Sequence, residues 1–511
     1  HYTYVLCGDG DLQEGVTQEA ISLAGHLKLN KLIVLYDSND VQLDGVVKNA
    51  NTESVRDKYE AMNWNYIFVK DGEDVESVCH AIRKAQQSDK PTIIEIKTII
   101  GRGAATAGTS KVHGSPLPKA EVEQMRADLG GNAFEADASV YEYYCETFGK
   151  RGEEAYSAWL KTCEEYQRKY PEAYQEFQRM LNDDFPIDFE NIVSYPADYK
   201  KATRVSGGEV LNAISKLNPG FIGGSADLTA STKAKGADGD FSAENRLGRN
   251  INFGVREHAM GAISNGIALH GGFKSFCSTF FVFSDYMKPA IRLAALMKLP
   301  VTYVFTHDSI AVGEDGPTHQ PIEQLTMLRS IPGLNVIRPA DANEVKGAWE
   351  VAYNSKHNPT AIILTRQDVP NLSGTDYSKV KFGAYILSGE KEKLDGILIA
   401  SGSEVSVALE AQSLLREDGL DVRVVSMPSI SLFEKQSETY RNHILPASVQ
   451  NRVAIEMSEG AHYYKYLGPQ GKLININRFG LSGPYPILLK HFGFTAENIV
   501  AAFKEVYNKN K

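Results

Sequence analysis

Gly8-Asp9-Gly10 follows the strand-like run Tyr2–Cys7, and Asn39 follows the next such run, Lys31–Tyr36, with a helical stretch from Thr17 to Leu29 between them. A strand–helix–strand unit of a doubly wound sheet brings the carboxyl ends of its two strands to one edge, where such sheets bind ligands. Asp9 offers an anionic oxygen there, Asn39 a carbonyl oxygen, and a main-chain carbonyl just beyond Asn39 can complete the set. An all-oxygen group with few charges suits Mg2+ or Ca2+ shared with phosphate oxygens. The two glycines let the backbone approach a diphosphate closely. Alone, Gly-Asp-Gly is a turn between strand and helix; the position of Asn39 at the next strand end is what gives it chemistry.

Glu257, in Gly254-Val-Arg-Glu-His-Ala-Met260, lies in the first turn of a helix, where a carboxylate gains from the helix dipole. The helix it starts is rich in Ala, Gly and Ile and must be buried, and Phe280, Phe281, Phe283 and Tyr286 follow it. A carboxyl group in apolar, aromatic surroundings has a raised pKa and exchanges protons near neutrality. A Gly/Pro-rich loop after a strand, Thr306-His307-Asp308 to Asp315-Gly-Pro-Thr-His319-Gln-Pro, carries two histidines and three acids. Histidine moves protons near neutral pH and hydrogen-bonds sugar hydroxyls, and loops at strand ends are common sites of function. Arg204, Ser231 and Arg366 each stand at an element start or a strand end. Arginine is the bidentate donor that phosphate recognition favours.

The elements that must position these groups read as parallel α/β units. Strands are predicted at Tyr2–Cys7, Lys31–Tyr36, Trp64–Val69 and Thr92–Thr98, then at Phe221–Gly223, Val301–Thr306, Leu334–Ile337 and Ala361–Thr365. A third block has strands Asp395–Ala400, Asp421–Ser426 and Val453–Glu456 around the helix Val405–Glu417. Helical spacing fills Ser139 to Asn182, and the Pro-, Asp- and Tyr-rich stretch Phe185 to Lys201 reads as a crossing between domains. The fold class expected is α/β, with three successive α/β domains: 1–172, a linker at 173–203, 204–376 and 377–511. The 511 residues are 42% hydrophobic, enough for such cores, and the net charge of −10 asks for neither nucleic acid nor a membrane surface. No run approaches the roughly 20 apolar residues that span a bilayer. Cys7, Cys79, Cys145, Cys163 and Cys277 form no C-x-x-C pair, which fits a reduced, cytoplasmic setting.

Taken together, the GDG with Asn39, the segment G-V-R-E-H-A-M and the run H-D-S-I-A-V-G-E-D-G-P-T-H-Q-P resemble the transketolase family, in family order along essentially the whole chain. The resemblance implies two thiamine-diphosphate-binding folds followed by a C-terminal domain. It also implies thiamine diphosphate with Mg2+ or Ca2+ as cofactors and a homodimer with active sites at the subunit interface. Sugar phosphates are the partners it implies. The reaction implied is reversible transfer of a two-carbon ketol unit, through a thiamine-bound intermediate, from a ketose phosphate to an aldose phosphate in the pentose phosphate pathway. Carried over residue by residue, Asp9, Asn39 and the carbonyl of Val41 hold the metal, and Gly8 and Gly10 flank the diphosphate. Glu257 is the activating acid, and Phe280, Phe283 and Tyr286 line the aminopyrimidine pocket. Asp227 and Leu228 contact the thiamine, and Ile100 flanks the thiazolium. His113 reaches both diphosphate and substrate. His319 relays a proton at the reacting carbonyl, Asp315 binds a substrate hydroxyl, and Arg204, Ser231, His307 and Arg366 bind the phosphate end. Glu14, assigned to the cofactor, and Glu19 match positions near the subunit interface.

The chain opens at His1, inside a strand-like run and without an initiator Met. The family begins well before the GDG, with roughly a domain's worth of chain (~100–150 residues), so the expectation is that His1 is a truncation point. Two alternatives stand beside the ketol-transferase reading: a dihydroxyacetone synthase, which differs in its acceptor, and, following from the truncation, an inactive truncated or split transketolase subunit.

Overall fold

Aliphatic runs such as Leu-Ile-Val-Leu-Tyr and Thr-Ile-Ile-Glu-Ile suit strands buried on both faces, as parallel sheets require. In the computed structural model, which describes residues 1–130 and 134–510, they form strands of the first of two units, His1–Gln178. Its sheet holds β1 (Thr3–Gly8), β2 (Leu32–Ser38), β3 (Asn65–Val69) and β4 (Thr92–Lys97), all parallel, in the order β1-β2-β4-β3. The short helix α1 (Asp9–Gln13) and then α2 (Gly15–His26) connect β1 to β2. One face packs Ile21, Ala24, Tyr59 and Trp64 against Val34 and Ile93, and the other packs Ala81 and Ala85 against Ile33 and Ile94. The Trp64 indole donates to the carbonyl of Ile21 at 2.8 Å, tying α2 to the sheet. The stretch expected to be helical forms Ala138–Tyr144, Lys150–Lys169 and Pro171–Leu181, none of which buries a residue.

The second unit, Arg179–Lys511, holds two large sheets and a two-stranded antiparallel ribbon of Lys200–Ala202 with Asp368–Pro370. The first is parallel: β5 (Phe221–Ser225), β6 (Asp240–Phe241), β7 (Asn250–Asn252), β8 (Lys274–Phe280), β9 (Thr302–Thr306), β10 (Asn335–Ile337) and β11 (Thr360–Leu364), in the order β10-β11-β9-β8-β5-β7-β6. Around it run α3 (Thr203–Leu217), α4 (Glu257–His270), α5 (Ser284–Leu296) and α6 (Ala342–Asn354). Phe221, Phe276, Trp349 and Ile362 are among the fully or nearly buried residues of its core. The other sheet is β12 (Tyr385–Ser388), β13 (Gly396–Ala400), β14 (Val422–Ser426), β15 (Arg452–Ile455) and β16 (Lys472–Ile474), in the order β12-β14-β13-β15-β16 with only β12 antiparallel. Helices α7 (Glu404–Glu417), α8 (Tyr485–His491) and Ala496–Lys509 belong to it.

The predicted strands all form, within a residue or two at their ends. β8 lies in the mostly apolar stretch Ala259–Phe283, where burial was evident but a change from helix to strand was not, because short apolar runs fit either. Among the described residues no helix is long and apolar enough to cross a membrane.

Candidate active site

In the first unit, the register Gly8↔Asp37 sets the carboxyl ends of β1 and β2 side by side, so the loops carrying Asp9 and Asn39 leave the sheet together. Asp9 begins α1 and is only 5% exposed. The Tyr36 hydroxyl donates to Asp9 Oδ1 at 2.5 Å, while Oδ2 is buried with no hydrogen-bond partner among the described residues. Burial raises the Asp9 pKa, against the hydrogen bonds from Tyr36 and the Asn39 backbone. A buried carboxylate with an unsatisfied oxygen is costly until a cation completes it. Asn39 Oδ1 accepts from the Val41 amide at 3.1 Å, closing a tight turn that gathers Asn39 and Val41 beside Asp9. No cluster of three or more His, Cys, Asp or Glu side chains occurs among the described residues. A cation here would therefore rest on Asp9 and neutral oxygens, the sparse donor set of a metal shared with phosphates. A Cβ built on Gly10 meets nothing within 4 Å, so packing within the chain does not call for a glycine there and the space beside its backbone is open. These residues fit a metal-bound diphosphate. A cavity of about 640 Å³ beside Asp9 is lined also by Tyr36, Ser38, Tyr66 and Glu95. Ile100 and His113 are half-buried, and His113 Nδ1 is buried with no partner among the described residues. Glu14 is the exposed residue that precedes α2, and Glu19 lies half-buried within that helix.

In the second unit, two threonines bring two arginines together. The Thr203 amide donates to Thr365 Oγ1 at 2.9 Å, and the Thr365 amide donates to Thr203 Oγ1 at 2.7 Å. This reciprocal pair sets the next residues, Arg204 and Arg366, beside each other. Burial and then the charge of Arg366 lower the Arg204 pKa. Arg204 Nη1 donates to the Ser231 carbonyl at 2.6 Å, and its Nε is buried with no partner among the described residues. Two adjacent guanidinium groups with a spare donor make a seat for an anion.

The strand register Phe280↔Thr306 puts Phe280 and His307 at neighbouring strand ends, with ring centroids 3.7 Å apart. His307 has the left-handed backbone angle φ 65°, a strained conformation for a bulky residue that is common at functional sites. It is 3% exposed. Burial, then the charges of Arg204, Arg366 and His319, push its pKa down to about 3, so it is neutral at ordinary pH. The His319 ring lies 5.6 Å from Phe283 and 6.2 Å from Phe280, and Phe283 lies 6.1 Å from both Phe280 and Tyr286. The structure thus gathers Phe280, Phe283, Tyr286, His307 and His319 into one wall, with Tyr286 at its exposed rim.

Glu257 is the first residue of α4 and is 8% exposed, and α4 packs on α5 and β8, the elements that carry the ring wall. Asp227, at φ 59°, and Leu228 follow β5 at the same carboxyl edge, and Asp315 is exposed in the loop before His319. Sequence reasoning missed Tyr36, the Thr203–Thr365 pair and Arg338, which holds Asp308. A polar residue ending a strand was the only available signal for the first two.

Three family models match the chain in order. They are the transketolase thiamine-diphosphate-binding domain at residues 1–186, the transketolase pyrimidine-binding domain at 199–371 and the transketolase-like C-terminal domain at 383–495. A transketolase of Bacillus subtilis is 49% identical over 100% of this chain and 78% of its own length. Transketolase from Leishmania mexicana superposes with a TM-score of 0.95 at 41% identity, covering 100% of this chain and 76% of that one. A transketolase of Pichia stipitis, solved with sedoheptulose 7-phosphate, gives a TM-score of 0.95 at 41% identity over 100% and 77% of the two chains.

Proposed function

The chain belongs to the transketolase family and is a thiamine-diphosphate-dependent transferase, and on that premise we propose how its own residues move a ketol unit. The donor is a ketose phosphate such as xylulose 5-phosphate, and the acceptor is an aldose phosphate such as ribose 5-phosphate. When bound, thiamine diphosphate supplies a nucleophilic carbon able to cleave the bond beside a ketose carbonyl. Asp9, the side-chain oxygen of Asn39 and the carbonyl of Val41 hold Mg2+ or Ca2+, and Gly8, Gly10, Glu14 and His113 border the diphosphate. Ile100, Asp227 and Leu228 flank the thiamine. Glu257 holds a proton at a ring nitrogen of the aminopyrimidine, whose faces rest on Phe280, Phe283 and Tyr286.

Arg204, Arg366, Ser231 and His307 bind the sugar's phosphate. Neutral His307 adds a hydrogen bond there without adding charge. His319 relays a proton at the reacting carbonyl, and Asp315 accepts from a sugar hydroxyl. The observation that carries this reading is the pair of adjacent arginines acting on a buried, neutral His307 whose ring abuts Phe280. We place the reaction in the pentose phosphate pathway and the protein in the cytoplasm as a homodimer. One subunit gives the metal ligands and the other Glu257. Five free cysteines suit that reducing setting.

The test is ketol transfer from xylulose 5-phosphate to ribose 5-phosphate, with formaldehyde offered as the competing acceptor. Transfer to the aldose phosphate is expected, and Glu257→Ala should abolish it while binding of the diphosphate end persists. Full turnover in Glu257→Ala would sink the assignment, and preference for formaldehyde would make the protein a dihydroxyacetone synthase.

A further inference from the structure

The loop from His307 to Pro321 carries three of the sugar-site residues, yet its only regular structure is the short turn Ile310–Val312. Such a loop keeps its shape only through ties to other elements, and two of those ties come from a single turn of the last domain. Gln320, next to His319, is 2% exposed, and its Nε2 donates to the carbonyls of Gly313 at 2.9 Å and Leu481 at 2.8 Å. Ser482 Oγ donates to the carbonyl of Glu314, the neighbour of Asp315, at 2.7 Å. A Cβ built on Gly480 would stand 1.8 Å from Gln320 Oε1, so the two segments approach as closely as glycine permits. Gly316, at φ 77°, lies against Ser482 in the same way, its built Cβ 3.3 Å from that side chain. α8, which follows the turn, packs on Ile310–Val312.

We propose that the turn Gly480–Ser482 is a positioning element for the sugar site, fixing Asp315 and His319 by holding the residues beside them. This assigns the C-terminal domain a part in the reaction, and it rests on the proposed roles of Asp315 and His319. The physical reason is that a proton relay and a hydroxyl acceptor work only in register with the reacting carbon, and small displacements far from the chemistry cost rate steeply.

Ser482 is exposed, so Ser482→Ala removes one hydrogen bond with little effect on folding. Its KM for xylulose 5-phosphate should rise about two- to ten-fold, the equivalent of one such bond. Thiamine-diphosphate affinity and melting temperature should stay at their wild-type values. Ser482→Thr, which keeps the hydroxyl, should restore the wild-type KM. Gly480→Ala, which must displace Gln320, should have the larger effect. A second readout needs no turnover: hydrogen exchange at the amides of residues 314–316 and 318–320 should speed up in Ser482→Ala and return to wild type in Ser482→Thr. Unchanged exchange and unchanged KM in both Ser482→Ala and Gly480→Ala overturn the proposal, as does a lowered melting temperature with KM and exchange unmoved. A wild-type protein without ketol transfer would count against the function, while the exchange measurement would still decide the role of the turn.

Discussion

Two pairs of arginines in the second unit differ in what neutralises them. Arg338 is 1% exposed and reaches Asp308 with Nη2 at 2.7 Å and Glu404 with Nη1 at 2.7 Å, while Arg329 meets both oxygens of Glu456 at 2.7 Å. Burial works against the charge of Arg338, and Glu404 and Asp308 more than offset it, so its pKa lies above the ordinary arginine value. For Arg204 the balance is reversed: burial and the charge of Arg366 both lower its pKa, and only Asp368 opposes them. Burial therefore does not tell a neutralised arginine from an unneutralised one. Its counter-charge does: Asp308, Glu404 and Glu456 neutralise Arg338 and Arg329, whereas Arg204 and Arg366 lie close enough to repel and leave positive charge in excess. Glu404 and Glu456 follow β13 and β15, the neighbouring strands at which the order of the last sheet reverses. That is the usual ligand crevice of an open α/β sheet, and here it is occupied by Arg338 and Arg329 of the same chain.

The largest effect that could break this contrast is on stability. Arg338→Met leaves Asp308 and Glu404 buried with their strongest partner gone, and breaking a buried pair in this way costs about 3–5 kcal/mol. Urea unfolding of wild type and variant measures it, and a loss below about 1 kcal/mol would put Arg338 on a level with a surface charge. Next in size are Arg204→Met and Arg366→Met. Each removes one of two repelling charges, so unfolding free energy should hold or rise slightly. KM for a phosphorylated ketose should increase about 10- to 150-fold, the range for hydrogen bonds to charged groups. A ketose without phosphate should show little change between wild type and variants. Equal losses for both donors would mean that the two arginines hold the fold and not the phosphate.

The parts of this contrast were unequally legible in the sequence. Arg204 and Arg366 were named because each stands at an element start or a strand end and matches the family pattern, and their neighbours Thr203 and Thr365 make the reciprocal bonds that bring them together. Those bonds join residues far apart in the chain and leave no local pattern, so the pairing could be expected only through the family resemblance. Asp308 stood in plain view inside the His307 loop, but Arg338 and Glu404 lie in other elements and carry no motif. The strand ends were readable because aliphatic runs stop where the sheet stops. β8 was not, since the stretch from α4 to β8 is mostly small and apolar residues, and its few polar ones mark neither period. β12 was not assigned, being short, antiparallel and bulged between Ile386 and Ser388. Tyr36 read as one more strand residue, although its hydroxyl fixes the Asp9 carboxylate.

The smallest expected effect is also the most direct probe of the unbalanced pair, through the histidine that feels it. The pKa of His307 is pushed down to about 3 from an ordinary value of 6.5, first by burial and then by Arg204 and Arg366. In the unfolded chain this histidine takes up a proton as pH falls through about 6.5, while in the folded protein it resists protonation down to about 3. Its contribution to stability is thus fully present above the unfolded value and is lost as pH falls between the two, at up to about 1.4 kcal/mol per pH unit. Urea unfolding at pH 7, 6 and 5 should show this slope in the wild type and a shallower one in His307→Gln, the difference between them isolating this group from the carboxylates. Inorganic phosphate seated between the arginines would offset their charge and raise the His307 pKa, so it should flatten the wild-type slope and leave that of Arg204→Met nearly unchanged. If phosphate left the wild-type slope as it was, burial alone would account for the neutral histidine, and the two arginines would lose their standing as an anion seat.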